Sequence, residues 1–213
     1  MFNDPFHDPQ FADPEGLVGI GGDLRPGRLL RAYGRGIFPF FDETTPILWW
    51  SPDPRAVFEL DGLHVSRRLA RTIRSAKFRV TVDQDFSGVI RGCADRPRES
   101  VWITPAMIDA YTELHRLGSA HSVEVWHRGE LAGGLYGVAI QGLFAGESMF
   151  TRVRDASKVA LAFVMRRLNE RGYRLFDVQY LNDHTRSLGA VEIPRAEYLR
   201  RLRAALRVEC SFV

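Results

Sequence analysis

The chain has 213 residues, 45% of them hydrophobic, and a formal net charge of +3. That content excludes wholesale disorder, and the length supports one domain or two small ones with a buried core. No run approaches the roughly 18 uninterrupted apolar residues of a membrane span, and the opening MFNDPFHDP lacks the basic region and apolar run of a signal peptide, so a cytoplasmic protein with no membrane role is expected.

Eight of the eleven prolines fall by Pro54, with Phe and Trp packed around them in GIFPFFDETTPILWWSPDPRAVFEL, a turn-rich texture with little room for long helices. One short helix fits RPGRLLRAYG, where Leu29, Leu30 and Tyr33 give an apolar side and Gly34 an end. Residues 1–62 read as a small N-terminal α/β domain and residues 63–213 as a second domain. There the spacing predicts a helix over 65–76, a strand FRVTV, a helix near 85–93, and a helix capped by Thr104 with Pro105 at its first position. Met107, Tyr111, Leu114 and Leu117 form the expected buried stripe of that last helix, and Gly118 closes it. HSVEVWH, ELAGGLYGVAI and LFAGESMF then read as an antiparallel meander turning at RGE and QG. Asp155 or Ser157 caps a helix carrying Leu161, Val164, Met165 and Leu168; LFDVQY is a strand; AEYLRRLRAAL is the last helix. Meander, helix, strand, helix without a repeat is an α+β layout.

Strand alternation puts Leu175, Asp177 and Gln179 on one face and Phe176, Val178 and Tyr180 on the other. A carboxylate and an amide aimed into one cleft beside Glu147 suit the handling of an amine and a carbonyl, while a merely wet edge strand fits the same pattern. Gly133, Gly134, Gly137 and Gly146 interrupt strands, where either a ligand's close approach or a bulge would call for them. Ser148 follows Glu147 within a strand and crowns no nucleophile elbow, and no Walker loop is present. The histidines have no metal-ligand spacing, and Cys93 and Cys210 are too isolated for a zinc site or a disulfide framework, so no metal or cofactor is expected. Arg67, Arg71 and Arg74 share one helix face, a stripe fit either for phosphate or for solvent. RAYGRG at 31–36 fits the R-x-x-G-x-G loop that holds the pyrophosphate of acetyl-CoA, but Ile37-Phe38-Pro39 follows it and forbids the helix start that phosphate needs. Where that loop should stand, after the meander, the chain has FTRVRDASK. The layout is that of an acyltransferase without its CoA clamp.

GIFPF, ILWWSPDPRAVF, HSVEVW, GGLYGVA, F-x-GESMF, DASK, FDVQ and HTRSLGAVEIPR, in that order across residues 36–195, resemble the leucyl/phenylalanyl-tRNA–protein transferase family. The departures are Phe40, where members usually carry Trp, and Thr151, where Ser is common. The resemblance implies an acetyltransferase-like (GNAT-like) second domain, and transfer of Leu or Phe, with Met weakly, from aminoacyl-tRNA to proteins beginning with Arg or Lys, marking them for degradation. It implies that Asp177 holds and deprotonates the incoming amine, directly or through Gln179, and that Gln179 orients the amine or donates to the ester carbonyl. Glu147 would face the acceptor's cationic side chain or brace the tRNA terminus. Leu135, Phe144, Met149, Val164 and Phe176 would hold the transferred side chain, and Trp49 and Trp102 the terminal adenosine. Arg67, Arg71 and Arg74 would contact the tRNA body, and a monomer is expected. A CoA-dependent N-acetyltransferase and a non-catalytic RNA-binding module are the competing readings.

Overall fold

Alternating apolar strands build two sheets in the computed structural model, which describes residues 6–95 and 102–213. The smaller sheet has the order β1 (Leu17–Ile20), β3 (Leu48–Trp50), β2 (Phe38–Pro39), all antiparallel. Helix α1 (Pro26–Tyr33) lies between its first two strands in sequence, with Pro at the start, Leu29 and Tyr33 buried, and Gly34 as C-cap. The larger sheet has seven strands in the order β10-β4-β9-β8-β7-β6-β5. They are β4 (Arg55–Phe58), β5 (Arg79–Val82), β6 (Ala120–His127), β7 (Glu130–Ile140), β8 (Leu143–Thr151), β9 (Leu175–Gln179) and β10 (Val191–Ile193). The meander is β6-β7-β8, and β8 and β9 are parallel, joined through helix α5 (Ala156–Glu170). The α+β class and the order meander, helix, strand, helix therefore hold. To that sheet β4 adds from the segment that reads as turn-rich and β10 from a stretch where no element was expected, and residues 55–58 belong to it although they precede residue 62.

Local chemistry places the helices. Ser66 caps α2 (Arg67–Arg74), Asp85 caps α3 (Phe86–Ala94), and Thr104 accepts from the Met107 N–H at the start of α4 (Pro105–Arg116). Met107, Tyr111 and Leu114 are buried, but Leu117 is the C-cap and half exposed, because the chain turns at Gly118 with φ +75°. Asp155 sits before α5 at φ +75° and pairs with Arg68 at 2.6 Å instead of capping; Thr151 Oγ1 accepts from the Ser157 N–H at 2.9 Å. The short helix α6 (Asp183–Ser187), held by a capping box between Asn182 and Thr185, was not expected from the sequence. Helix α7 (Arg195–Ala205) follows β10.

The glycines of β7 show which helix covers which face. A Cβ on Gly133 would lie 2.7 Å from the Ala156 side chain of α5, and one on Gly134 would lie 2.9 Å from the Val89 side chain of α3. Neighbouring residues on a strand point oppositely, so α5 and α3 cover opposite faces, and protein, not ligand, fills the space those glycines leave.

Two irregularities open the sheet at its centre. The pairing of β8 with β9 runs Leu143↔Leu175, Phe144↔Phe176, Ala145↔Asp177 and stops, so the strands part beyond Ala145. Each parting strand also carries one unmatched residue. Tyr136 pairs with Ser148 and Gly137 with Gly146, which leaves Glu147 as the extra residue of β8; Ala56 pairs with Gln179 and Val57 with Asp177, which leaves Val178 extra in β9. Such bulges bend a strand and re-aim the side chains beside them.

The parting is fastened from behind by a buried ion pair. Arg55 on β4 donates from Nε to Asp177 Oδ1 at 2.8 Å and from Nη2 to Oδ2 at 2.7 Å, with both side chains 1% exposed. Its Nη1 donates to the Gly36 carbonyl at 3.0 Å, its plane lies over the rings of Phe38 and Tyr198, and the Tyr198 hydroxyl donates to Asp177 Oδ2 at 2.9 Å. Burial pulls the Arg55 pKa down, but the Asp177 carboxylate outweighs this and holds the guanidinium above its ordinary value.

Removing one partner of such a pair leaves a desolvated charge. Arg55→Met is expected to lower unfolding free energy by about 3–5 kcal/mol in urea melts, with most of the loss recovered in Arg55→Met/Asp177→Leu. A loss in the single variant below about 1 kcal/mol, the usual worth of an exposed pair, would contradict this role.

Candidate active site

Where β8 and β9 part, a pocket of about 480 Å³ opens, walled by both strands, by Leu161 of α5, and by the segments around Phe40 and Asn182. Glu147 and Gln179 meet at its polar end: Gln179 Nε2 donates to Glu147 Oε1 at 3.2 Å. The Tyr111 hydroxyl donates to Glu147 Oε2 at 3.3 Å, and the Tyr33 and Tyr111 hydroxyls are hydrogen-bonded to each other. Burial and the neighbouring Glu147 push both phenols well above their ordinary range, so they stand as neutral hydrogen-bonding groups. Burial, with the Asp177 charge adding to it, pushes the Glu147 carboxyl up to about 8, against the lowering effect of the tyrosines and Arg55. A carboxyl near 8 exchanges its proton around neutral pH, which suits a general acid and base.

Asp177 lies elsewhere. Leu175 packs in the cluster with Tyr198 and Leu199 of α7, and Asp177 binds Tyr198 there, while Phe176 and Val178 wall the pocket. The face expected to carry the chemistry is therefore the one turned toward α7. Gln179 reaches the pocket because the Val178 bulge and its own φ of +58° break the strand alternation that would have kept it beside Asp177. Asp177 is 0% exposed and accepts from Arg55 twice, from Tyr198, and from the Gln179 backbone N–H at 3.0 Å. With its acceptor sites taken, it has no direct reach to an amine; it fixes the turn that presents Gln179.

Of the apolar candidates, Leu135, Met149 and Phe176 line the pocket. Phe144 and Val164 are fully buried in the core beneath it, and Phe58 and Leu161 join the wall instead. Trp102 lines the mouth, but Trp49 is 1% exposed in the core, where its indole N–H donates to the Gly21 carbonyl at 2.9 Å and its ring meets Phe6. The aromatic neighbour of Trp102 is Phe40, with ring centres 5.5 Å apart, and Tyr180 stands edge-on to Phe40. The Trp50 indole donates to the Phe40 carbonyl at 2.8 Å and steadies it. Arg67, Arg71 and Arg74 are exposed along α2, with no side-chain partner among the described residues, and they do not line the pocket. Sequence reasoning missed Arg55 and Tyr111 as site residues. Tyr111 carried a signal, since it stands on the expected buried stripe of its helix and a buried phenol needs a partner; the burial of Arg55 carried none.

At the start of α5 the Ala156 N–H donates to the Val153 carbonyl at 3.0 Å and the Ser157 N–H to Thr151, with Asp155 alongside. Two first-turn donors are thus spent and a carboxylate adjoins them, which disfavours a pyrophosphate at this helix end.

The sequence pattern of the family described as Leucyl/phenylalanyl-tRNA protein transferase matches residues 57–203, and that of its N-terminal domain matches residues 22–53. The Leucyl/phenylalanyl-tRNA--protein transferase of Solidesulfovibrio magneticus is 54% identical over 207 residues, 96% of this chain and 84% of that one. The protein of the same name in Shigella sonnei is 54% identical over 190 residues, 89% of this chain and 81% of that one. Among solved structures, a GCN5-related N-acetyltransferase from Kribbella flavida overlaps with a TM-score of 0.41 at 14% identity, covering 80% of this chain and 61% of that one. So loose an overlap carries no argument, and the architecture stands on the strand order.

The raised Glu147 value has a consequence for stability. The carboxyl ionises near 4.5 in the unfolded chain and near 8 in the fold, so between those pH values the unfolded chain gives up a proton that the fold retains. Stability from this group is full below 4.5 and lost as pH rises toward 8. Glu147→Gln should therefore melt higher than the parent by a margin that widens from pH 5 to pH 8 and then levels, as read by calorimetry. A margin independent of pH would mean that Glu147 titrates normally.

Proposed function

The chain belongs to the leucyl/phenylalanyl-tRNA protein transferase family, and from that premise we propose that the pocket between β8 and β9 is where the amino acid leaves its tRNA ester. As a member it is an aminoacyltransferase that moves Leu or Phe from aminoacyl-tRNA to the α-amine of proteins beginning with Arg or Lys, marking them for degradation. The observation that carries the assignment of the site is the Glu147–Gln179 contact at the polar end of an otherwise apolar pocket.

The ester is already activated, and an α-amine with a pKa near 8 is partly neutral at pH 7. Chemistry then needs positioning, proton transfer and support for the tetrahedral oxyanion. In this reading the Gln179 carboxamide oxygen accepts from the amine while its NH₂ remains on Glu147. The amine attacks the carbonyl carbon, Glu147 takes the proton released by the new C–N bond, and it returns that proton to the ribose oxygen as the C–O bond breaks. Asp177 and Arg55 are positioning residues: they hold the backbone from which Gln179 projects. The spent amides at the start of α5 speak against a CoA thioester as donor.

Leu135, Met149, Leu161 and Phe176 form the seat for the donor side chain. Burying Leu or Phe there contributes about 1.5–3 kcal/mol but separates methylene-scale differences weakly, so weak transfer of Met belongs to the proposal. The mouth formed by Phe40, Trp102 and Tyr180 suits the terminal adenine, with stacking worth about 1–3 kcal/mol. The Arg67, Arg71 and Arg74 stripe faces the tRNA body. A monomer working in the cytoplasm, and a division of the chain with its seam ahead of Arg55, complete the proposal; among the described residues no helix is long and apolar enough to cross a membrane.

The test of the site is single-turnover transfer from radiolabelled leucyl-tRNA to an Arg-initiated protein. Gln179→Ala, which loses the hydrogen bond that positions the amine, and Glu147→Gln, which loses the acid and base, should each slow transfer by about 100-fold, with tRNA affinity changed only a few-fold. Parent-like rates in both would move the chemistry out of this pocket. For the tRNA path, Arg67→Ala/Arg71→Ala should flatten log affinity against log salt by somewhat under two units, because each phosphate contact releases counterions. An unaltered slope would leave the stripe as a solvated helix face.

A further inference from the structure

The wall of the donor pocket is backed by a column of rings that ends well away from it. Phe176, on the wall, meets Phe144 edge to face with centres 5.4 Å apart, and Phe144 lies flat on Phe212 at 5.0 Å and 15°. Phe212 lies on His121 at 4.9 Å, and His121 Nδ1 is 2.7 Å from Asp83 Oδ2. Neither Phe144 nor Phe176 has slack on its other side. A Cβ on Gly137 would come 2.6 Å from the Phe144 ring, and one on Gly146 would come 2.8 Å from the Phe176 ring, so each ring presses on bare backbone. Phe212 is itself pinned: it is 1% exposed, its carbonyl accepts from Arg167 Nε at 2.5 Å, and the Arg167 guanidinium lies over its ring.

We propose that Phe212, which does not touch the pocket, sets its depth and hence which donor side chains fit. Interiors are packed densely enough that a wall can retreat only if something behind it gives way. Between the wall and His121 on β6, Phe144 and Phe212 are the two rings that would have to move, and Phe212 is the one that can be shortened without touching a strand of the pocket. Replacing it by a small side chain leaves a space that Phe144 can relax into, and Phe176 can follow. The pocket then deepens toward bulky side chains. Phe212 is in these terms a positioning residue for specificity. The inference rests on the reading that Leu135, Met149, Leu161 and Phe176 seat the donor side chain.

The experiment compares transfer from tRNA charged with Leu, Phe and 2-naphthylalanine, each with the same Arg-initiated acceptor. Phe212→Ala should raise the naphthylalanine-to-leucine ratio of kcat/KM by about fivefold, within what a hydrophobic pocket gains from a change of this size, and Phe212→Leu should fall between it and the parent. Loss of stability alone would lower all three donors together and leave the ratio unchanged. Met149→Ala, on the wall itself, is measured alongside. If Met149→Ala changes the ratio while Phe212→Ala does not, the inference fails and the donor seat stands; if neither does, the seat and the inference fall together. Should Phe212→Ala not fold, Phe212→Leu is read by the same criterion with an expected change of about twofold.

Discussion

The buried pairing of Arg55 with Asp177 joins residues 122 positions apart and ties together four separate pieces of the chain. Arg55 brings β4 into the large sheet beside β9, Gly36 closes over it from the N-terminal segment, and Tyr198 reaches in from α7. Two charges so deeply buried cost several kcal/mol each to desolvate, and only a bidentate geometry with every acceptor filled recovers that. The arrangement meets this condition, since Asp177 takes four hydrogen bonds and Arg55 also spends a donor on a backbone carbonyl. A hydrophobic replacement would serve stability as well. The fourth bond, to the Gln179 backbone, gives the pair a further effect: it fixes a residue at positive φ where the strand has just been bent by a bulge.

From that follows the division of labour between the carboxylates. Asp177 lies behind the sheet with a cation on it. Glu147, the unmatched residue of β8, is pushed into the parting with tyrosine hydroxyls and an amide but, among the described residues, no cation in hydrogen-bond contact. Low dielectric surroundings without a bound counter-charge disfavour its ionised form, and the Asp177 charge adds to this. Two acidic residues placed near one another by one sheet thus end in opposite surroundings, and in the proposed reaction the proton is carried by Glu147 and not by Asp177, to which the family resemblance pointed.

Much of the frame was legible because it is local. The Thr104 cap followed by Pro105, the RGE and QG turns, and the period of Leu161, Val164, Met165 and Leu168 each state their own geometry. The site was legible as a set of residues but not in its orientation. Strand periodicity assumes a residue for every rung, and the Val178 bulge, which turns Gln179 away from Asp177, depends on pairing with β4, far off in sequence. The same limit explains the tryptophans. Adjacent strand residues face opposite ways, so Trp49 and Trp50 had to differ, and only the register of β3 against β1 and β2 decides that Trp49 goes inward and that Phe40, not Trp49, meets Trp102. Short elements such as α6 and β10 carry too few residues to show a period, although Asn182 and Thr185 stand at the spacing of a capping box.

Proton transfer at this site turns on the state of one carboxyl, and carbon-detected NMR of the Glu147 side chain measures that state directly. With the chain labelled at glutamate and Glu147→Gln used to assign the signal, the side-chain carboxyl shift is followed from pH 5 to pH 9.5. A midpoint near 8 is the result expected for a carboxyl held by the Tyr111 hydroxyl and the Gln179 amide. A midpoint near the ordinary 4.5 would leave Glu147 too weak a base to hold the proton between the amine and the ribose oxygen, and that proton would have to be carried by another group.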